Sequence, residues 1–366
     1  MHPSLIRFTH ACPARALICC AALFLGLCGS ARGNGAAGCD AAPMHGFNLI
    51  QDRQAPLGSA QAFASMSRMR RTGANTVALV PFLWQRRANA PDIARGDDMS
   101  DEQLAQGIRA AHRLGLAVIV KPQVWVPGTW AGEVRMDNEA DWLTWFARYE
   151  RALMDLAAVA AREHAQGLVV GTELDQTVSH PQWLALIARV RAVFHGQVSY
   201  VSHNVDGAEQ VPFWPRLDTI GVTLYPSLVA DGQPEQWARV MQETYRRLRI
   251  LSLGVGRPVF VAEIGLRSAA GAAAKPWESA EERAANPDEQ LQSDVLRMWL
   301  DVLKRPTVHT VLIWRWISVP AAGGHTDTDF TVQGKRSEGM LASRWSGCHA
   351  EGHRTNPRAS RSEAAP

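Results

Sequence analysis

Eight apolar runs rich in Val, Ile and Leu recur along the chain, separated by segments with the period of amphipathic helices. They occupy residues 45–50, 76–83, 117–126, 167–175, 197–204, 219–228, 257–266 and 310–317. Each is continuous rather than alternating, as expected of strands covered on both faces in a parallel sheet. The segment 100–115 opens with Ser100 as an N-cap, carries Leu104, Ile108 and Ala111 on one face, and stops at Gly115. Segments 138–164, 181–195, 234–253 and 287–304 read similarly, the last three opening on a proline suited to a first helical turn. The fifth crossover, 205–218, is short and contains Pro212 and Pro215, so its helix signal is the weakest. Eight strand–helix units predict an α/β chain closed into a single (β/α)8 TIM barrel.

Length agrees with that reading: 366 residues, 46% of them hydrophobic, can bury one large core. A leader is expected at residues 1–33, where Arg7 and Arg15 precede the apolar stretch ALICCAALFLGL and a run of small residues. That stretch suits an export signal better than a transmembrane span; an uncleaved anchor is the alternative. Cleavage near Ser30 or Gly33 would leave a barrel domain at 34–348, exported to the periplasm or secreted, with no stable membrane insertion. Residues 349–366 lack apolar periodicity and are expected to be a disordered tail. Four of the six cysteines fall in the leader, which leaves Cys39 and Cys348 at the two ends of the barrel. In a closed barrel those ends meet, so export predicts a Cys39–Cys348 disulfide; two free thiols are the alternative. A net charge of +3 with scattered arginines is no nucleic-acid footprint. His180, His195 and His203 lack metal-ligand spacing, and no glycine loop cradles phosphate. No cofactor and no metal is called for, and the chain reads as a monomer.

Glu173 and Glu263 interrupt the fourth and seventh runs near their carboxyl ends. Burying a carboxylate is costly unless it is paired or used, and a barrel carries its chemistry at the carboxyl ends of its strands. Two carboxyls facing each other there suit a retaining glycoside hydrolase, one giving a proton to the leaving oxygen and one attacking the anomeric carbon. Burial and mutual repulsion would raise the pKa of one of them. Lys121 ends the third run, and His203 and Asn204 end the fifth; each could hold a sugar hydroxyl or a neighbouring carboxylate. Thirteen Trp against four Tyr is a skewed aromatic set. Trp84, Trp125, Trp130 and Trp277 lie at or beyond strand ends, where active-face loops form, whereas Trp142, Trp145, Trp237 and Trp299 fall inside helices and are expected to pack.

An ordered set of motifs resembles glycoside hydrolase family 113 of clan A. It comprises KPQVW at 121–125, DWLTWFARYE at 141–150, VGTEL at 170–174, FWPRLDTIGVTLYPSL at 213–228, VAEIG at 261–265, KPW at 275–277 and IWRW at 313–316. The resemblance runs from about residue 44 to 345. It implies a retaining endo-β-1,4-mannanase acting on a β-linked polysaccharide or oligosaccharide, with Glu173 as acid/base and Glu263 as nucleophile. It also implies that Tyr225 orients the nucleophile and that Trp314 floors the cleaving subsite. Lys121, Trp125, Thr172, His203, Asn204 and Trp277 are the further substrate-binding positions. Two departures stand out. Thr172 occupies the place where many clan A enzymes carry an Asn that contacts the substrate 2-hydroxyl, and KPQVW replaces an expected His after the Pro and an Asp at the end. They keep open the alternative of a non-catalytic, polysaccharide-binding barrel of an envelope or exopolysaccharide system.

Overall fold

The computed structural model describes residues 43–229 and 232–350, with side chains as far as residue 346. The leader, Cys39, the Cys348 side chain and the tail beyond Ala350 lie outside the described residues, and with them the proposed disulfide. Eight parallel strands form a closed barrel: β1 (Met44–Ile50), β2 (Thr76–Leu79), β3 (Ala117–Val120), β4 (Gly167–Thr172), β5 (Gln197–His203), β6 (Thr219–Leu224), β7 (Val259–Ile264) and β8 (Val308–Ile317). Each pairs with its sequence neighbours, and β1 closes the ring against β8. The helices that follow are α1 (Ala60–Arg71), α2 (Asp101–Arg113), α3 (Glu139–Arg162), α4 (Gln182–Val193), α5 (Asn204–Gln210), α6 (Pro234–Val255), α7 (Glu289–Leu303) and α8 (Arg336–Ala350). The weakly signalled fifth crossover does hold a helix, α5, of seven residues. Helix α8 runs two residues into the stretch expected to be a disordered tail. None of the described helices is long and apolar enough to cross a membrane.

The continuous apolar runs are explained by two cores. Ala78, Ile119, Val169, Val201, Phe260, Ala262 and Leu312 fill the barrel interior, while the intervening residues of the same strands pack outward against the helices. Helix ends follow local chemistry: Ser100 and Gln103 form a reciprocal capping box on α2, and Gly256 closes α6 in the left-handed conformation.

Two runs read as single strands are broken. Residues 76–83 and 117–126 each leave the barrel at a proline, Pro81 and Pro122, which cannot donate to the ladder. Beyond the break, Phe82–Trp84 and Gln123–Trp125 pair in parallel, and Ala94–Arg95 pairs antiparallel to the first. This three-stranded sheet stands over the carboxyl ends of β2 and β3. An aromatic stack beneath β4 fixes another part of the mouth. Trp145 lies parallel to Tyr149 at 4.8 Å, Trp183 meets Tyr200 edge-on at 5.4 Å, and Tyr149 donates to Val170 O at 2.7 Å. The Leu174 N–H, one residue past Glu173, donates to the Tyr200 hydroxyl at 3.1 Å. Trp142, Trp145, Trp237 and Trp299 are all buried, as their helical positions predict.

Candidate active site

Strand register brings His203, Thr223 and Glu263 into one row: His203 pairs with Thr223 across β5–β6, and Thr223 with Glu263 across β6–β7. Glu173 joins the row from β4, its backbone N–H donating to Val201 O at 2.7 Å. Its φ of 55° is left-handed, a costly conformation for a glutamate and one that local structure must hold. Leu174 bonded to Tyr200 and Glu173 bonded to Val201 are what hold it.

The two carboxyls are held differently. Lys121 Nζ donates to Glu263 Oε1 at 2.5 Å and the Tyr225 hydroxyl donates to Oε2 at 2.8 Å, so both oxygens of Glu263 are fixed. Lys121 is fully buried, and Glu263 is only 3% exposed. The Lys121 ammonium also lies 5.2 Å from the ring centre of Trp314 and 3.4 Å from Gln123 Oε1. On Glu173 only Oε1 is engaged: Thr223 Oγ1 donates to it at 2.6 Å and His203 Nδ1 at 3.0 Å. Glu173 Oε2 has no hydrogen-bond partner among the described residues.

A chain of donors sets the histidine tautomer. The Tyr225 backbone N–H donates to Asn204 Oδ1 at 2.8 Å, which turns the Asn204 amide NH2 toward His203 Nε2 at 2.9 Å. A ring nitrogen facing a donor must accept, so the His203 proton sits on Nδ1 and points at Glu173. Asn204 holds this place with φ 50°, a left-handed conformation that Asn tolerates better than most residues. Tyr225 therefore serves both carboxyls, Glu263 through its hydroxyl and Glu173 through its backbone.

Burial pushes Glu263 above the ordinary carboxylate range; the Lys121 charge pulls it down, and the nearby Glu173 adds to the rise. Burial acts upward on Glu173 too. There the hydrogen bonds from His203 and the Thr223 hydroxyl, with the Lys121 charge, outweigh it and hold Glu173 below its ordinary value in the free site. The expected rise of one carboxyl thus falls on Glu263. Burial disfavours the charged form of His203, yet its bond to Glu173 and the charges of Glu173, Asp175 and Glu263 raise its pKa. A second proton on Nε2 would collide with the Asn204 donor. Asp175, beside this group, is pushed up to about 6, chiefly by burial, with the Glu173 charge adding to it. Its Oδ1 is buried without a partner among the described residues.

Lys121, His203, Asn204, Tyr225, Glu173 and Glu263 are thus joined in one contact network, with Trp314 against the Lys121 end and Trp130, 4.8 Å from the His203 ring, at the other. Thr172 contacts neither carboxyl: it is buried and its hydroxyl donates to Pro122 O at 2.9 Å, pinning the β3 break. Trp125 and Trp277 are each half exposed, in contact with neither carboxyl. Arg315 is taken by Asp329. Sequence reasoning missed Thr223, Asp175 and Gln123. Each had a visible signal: Thr223 is a polar residue inside the apolar run TIGVTLYP, Asp175 is a carboxylate closing the fourth run, and Gln123 stands where KPQVW departs from the expected His. No group of three or more metal-ligating side chains occurs among the described residues.

Comparison with known proteins places this geometry in a family. The model of Glycoside Hydrolase Family 113 matches residues 47–335. The structure is similar to the family 113 β-mannanase of Alicyclobacillus acidocaldarius in complex with ManMIm, at 26% identity and a TM-score of 0.73, covering 84% of this chain and 98% of that one. A family 113 β-1,4-mannanase complex at 24% identity and TM-score 0.72 covers 82% and 98%. The β-glucuronidase of Ruminococcus gnavus, at 13% identity and TM-score 0.54 over 83% of this chain and 49% of its own, shares the fold alone. No curated protein sequence matches the chain. A family match over most of the chain, on a closed (β/α)8 barrel with two buried glutamates at its mouth, gives the assignment: the chain belongs to glycoside hydrolase family 113 and acts on O-glycosyl bonds.

Proposed function

We propose that the chain is an exported, retaining β-mannan hydrolase working by double displacement, with Glu173 as acid/base and Glu263 as nucleophile. The observation that carries the assignment of roles is the unequal holding of the two carboxyls. Glu263 has a cation and a phenol on its two oxygens, which favour its ionised form and aim its remaining lone pairs. Glu173 is anchored through Oε1 alone and keeps Oε2 for a proton that moves. In the first step a Glu263 oxygen bonds to the anomeric carbon, the bond to the leaving oxygen breaks, and the Glu173 proton passes to that oxygen. In the second, Glu173 takes a proton from water, whose oxygen displaces Glu263 with the original configuration restored. To start that cycle protonated, Glu173 must rise from its lowered value in the free site, and loss of the remaining water on substrate binding acts in that direction. The mannan reading follows the solved relatives, which are named β-mannanases. Export follows the leader-like residues 1–33.

Glu263→Gln should abolish turnover on every substrate. Glu173→Ala should keep turnover on aryl β-glycosides whose leaving groups need no proton, and azide should rescue it. An NMR time course showing an inverted first product would overturn the two-carboxylate scheme. A panel of β-linked glycans that are bound but never cleaved would leave the binding-barrel alternative in its place.

A further inference from the structure

Asn48, on β1, stands in the barrel interior. Its register partner on β2 is Ala78, one of the residues that fill that interior, and paired residues of neighbouring strands point to the same side. The residue is fully buried. Burying an amide is costly unless its groups are bonded, and only one end of this one is. Nδ2 donates to Ala262 O at 2.9 Å and to Ile313 O at a longer 3.4 Å, whereas Oδ1 has no partner among the described residues. With carbonyls as both neighbours, the NH2 end must be the one that faces them.

Those two carbonyls belong to the residues immediately before Glu263 and Trp314. Both lie where the strand registers slip. Between β7 and β8, Val261 pairs with Val311 and Ile264 with Ile313, so three steps along β7 match two along β8. Between β1 and β8, Phe47 pairs with Ile313 and Leu49 with Trp316, so two steps along β1 match three along β8. The pairing of β6 with β7 slips there as well, between Val261 and Glu263. Such an extra residue re-aims side chains beside an active site, and it also disrupts the ladder that would otherwise fix the backbone. At this level the Asn48 amide reaches from β1 to one carbonyl on β7 and one on β8.

We propose that Asn48 is a positioning residue for the cleaving site: its single amide ties the backbone that carries Glu263 to the backbone that carries Trp314, and so fixes the nucleophile relative to the floor of the subsite where it attacks. Lys121 and Tyr225 hold the Glu263 carboxyl, whereas Asn48 holds the chain behind it. Its hydrogen bonds go to backbone alone and it carries no charge, so it acts on distance and not on ionisation. The proposal rests on the glycosidase reading above, with Glu263 as nucleophile, and deepens it.

The test compares Asn48→Ala and Asn48→Val with the wild type on a dinitrophenyl β-mannobioside, whose leaving group needs no proton from Glu173. Both variants lack the donor, and Val refills part of the volume that Ala leaves empty. Each should lose roughly 10- to 100-fold in kcat with KM changed less than about threefold, because misplaced reacting groups are felt in the transition state. The acid limb of kcat/KM against pH should stay in place, since no charge near Glu263 is altered. Recovery of activity in Asn48→Val would make the side chain a filler of the barrel and overturn the proposal, as would a moved limb or an unchanged kcat. If the wild type turns over neither this substrate nor any β-linked glycan, the glycosidase reading fails on its own. Crystal structures of the wild type and Asn48→Val then decide the positioning role. A shift of Glu263 relative to Trp314 of about 0.5 Å or more supports it, and superposition of the two overturns it. If neither variant folds, the amide is a contact of the fold and the proposal is overturned as well.

Discussion

Replacing Lys121 with Met removes the cation from Glu263 while keeping an apolar stem of similar length under Trp314. The pair is fully desolvated, with Lys121 wholly buried and Glu263 nearly so, and the remaining donor to Glu263 would be the Tyr225 hydroxyl. Breaking a buried pair from one side costs about 3–5 kcal/mol, since the carboxylate left behind is uncompensated. Glu263 can avoid that cost by taking a proton. Its pKa already lies above the ordinary range through burial, and the Lys121 charge is the largest influence opposing the rise. A protonated carboxyl cannot attack the anomeric carbon. At about 1.4 kcal/mol per decade, activity near neutrality should fall roughly 10²- to 10⁴-fold. The sign is fixed by the same argument: a group that must be ionised sets the acid limb, and raising its pKa moves that limb to higher pH, so activity should recover as pH rises. The assay is kcat/KM against pH on an aryl β-glycoside with a good leaving group, which keeps Glu173 out of the measured step. A loss of equal size at every pH, with the limb unmoved, would refute the reasoning and make Lys121 a contact of the sugar or of the fold.

Asn204→Ala should free His203 Nε2 to take a proton; the resulting cation favours ionised Glu173, so the basic limb of kcat/KM on poor leaving groups moves to lower pH. An unmoved limb would show that Asn204 does not govern the His203 proton. Asp175→Asn should stabilise the fold at neutral pH, because a carboxyl whose pKa rises from its ordinary 3.8 to about 6 on folding is penalised once pH passes that value. The ceiling is about 3 kcal/mol, reduced to about 1–2 kcal/mol by solvent screening of a half-buried group. The gain in Tm should be present at about pH 7.5 and absent below about pH 4, where Asp175 is protonated in both folded and unfolded chains; a gain that persists in acid would have another cause.

The barrel was legible because its strands are buried on both faces and its helices are not, so period and continuity mark each element without knowledge of the partner. The two proline breaks escaped for the same reason: the runs at 76–83 and 117–126 stay apolar beyond Pro81 and Pro122, and apolarity cannot tell a barrel strand from a second sheet packed on the core. The glutamates were legible as charges where charge is expensive. Their partners were less so, since Thr223 reaches Glu173 across 50 residues and Lys121 reaches Glu263 across 142. Thr172 illustrates the limit in the other direction. Its sequence position beside Glu173 placed it in the cleft, yet its hydroxyl is taken by the Pro122 carbonyl, a partner 50 residues away that the sequence does not reveal.

Because Tyr225 anchors Glu263 by its hydroxyl and Glu173 by its backbone, through Asn204 and His203, the two carboxyls share one mechanical reference. A displacement of Tyr225 therefore reaches both carboxyls at once, while Lys121 holds Glu263 and Thr223 holds Glu173 separately. Misplacement of about 1 Å between reacting groups can cost a hundredfold in rate. A change at Tyr225 is therefore felt at both carboxyls together, whereas one at Lys121 or at Thr223 is felt first at one of them.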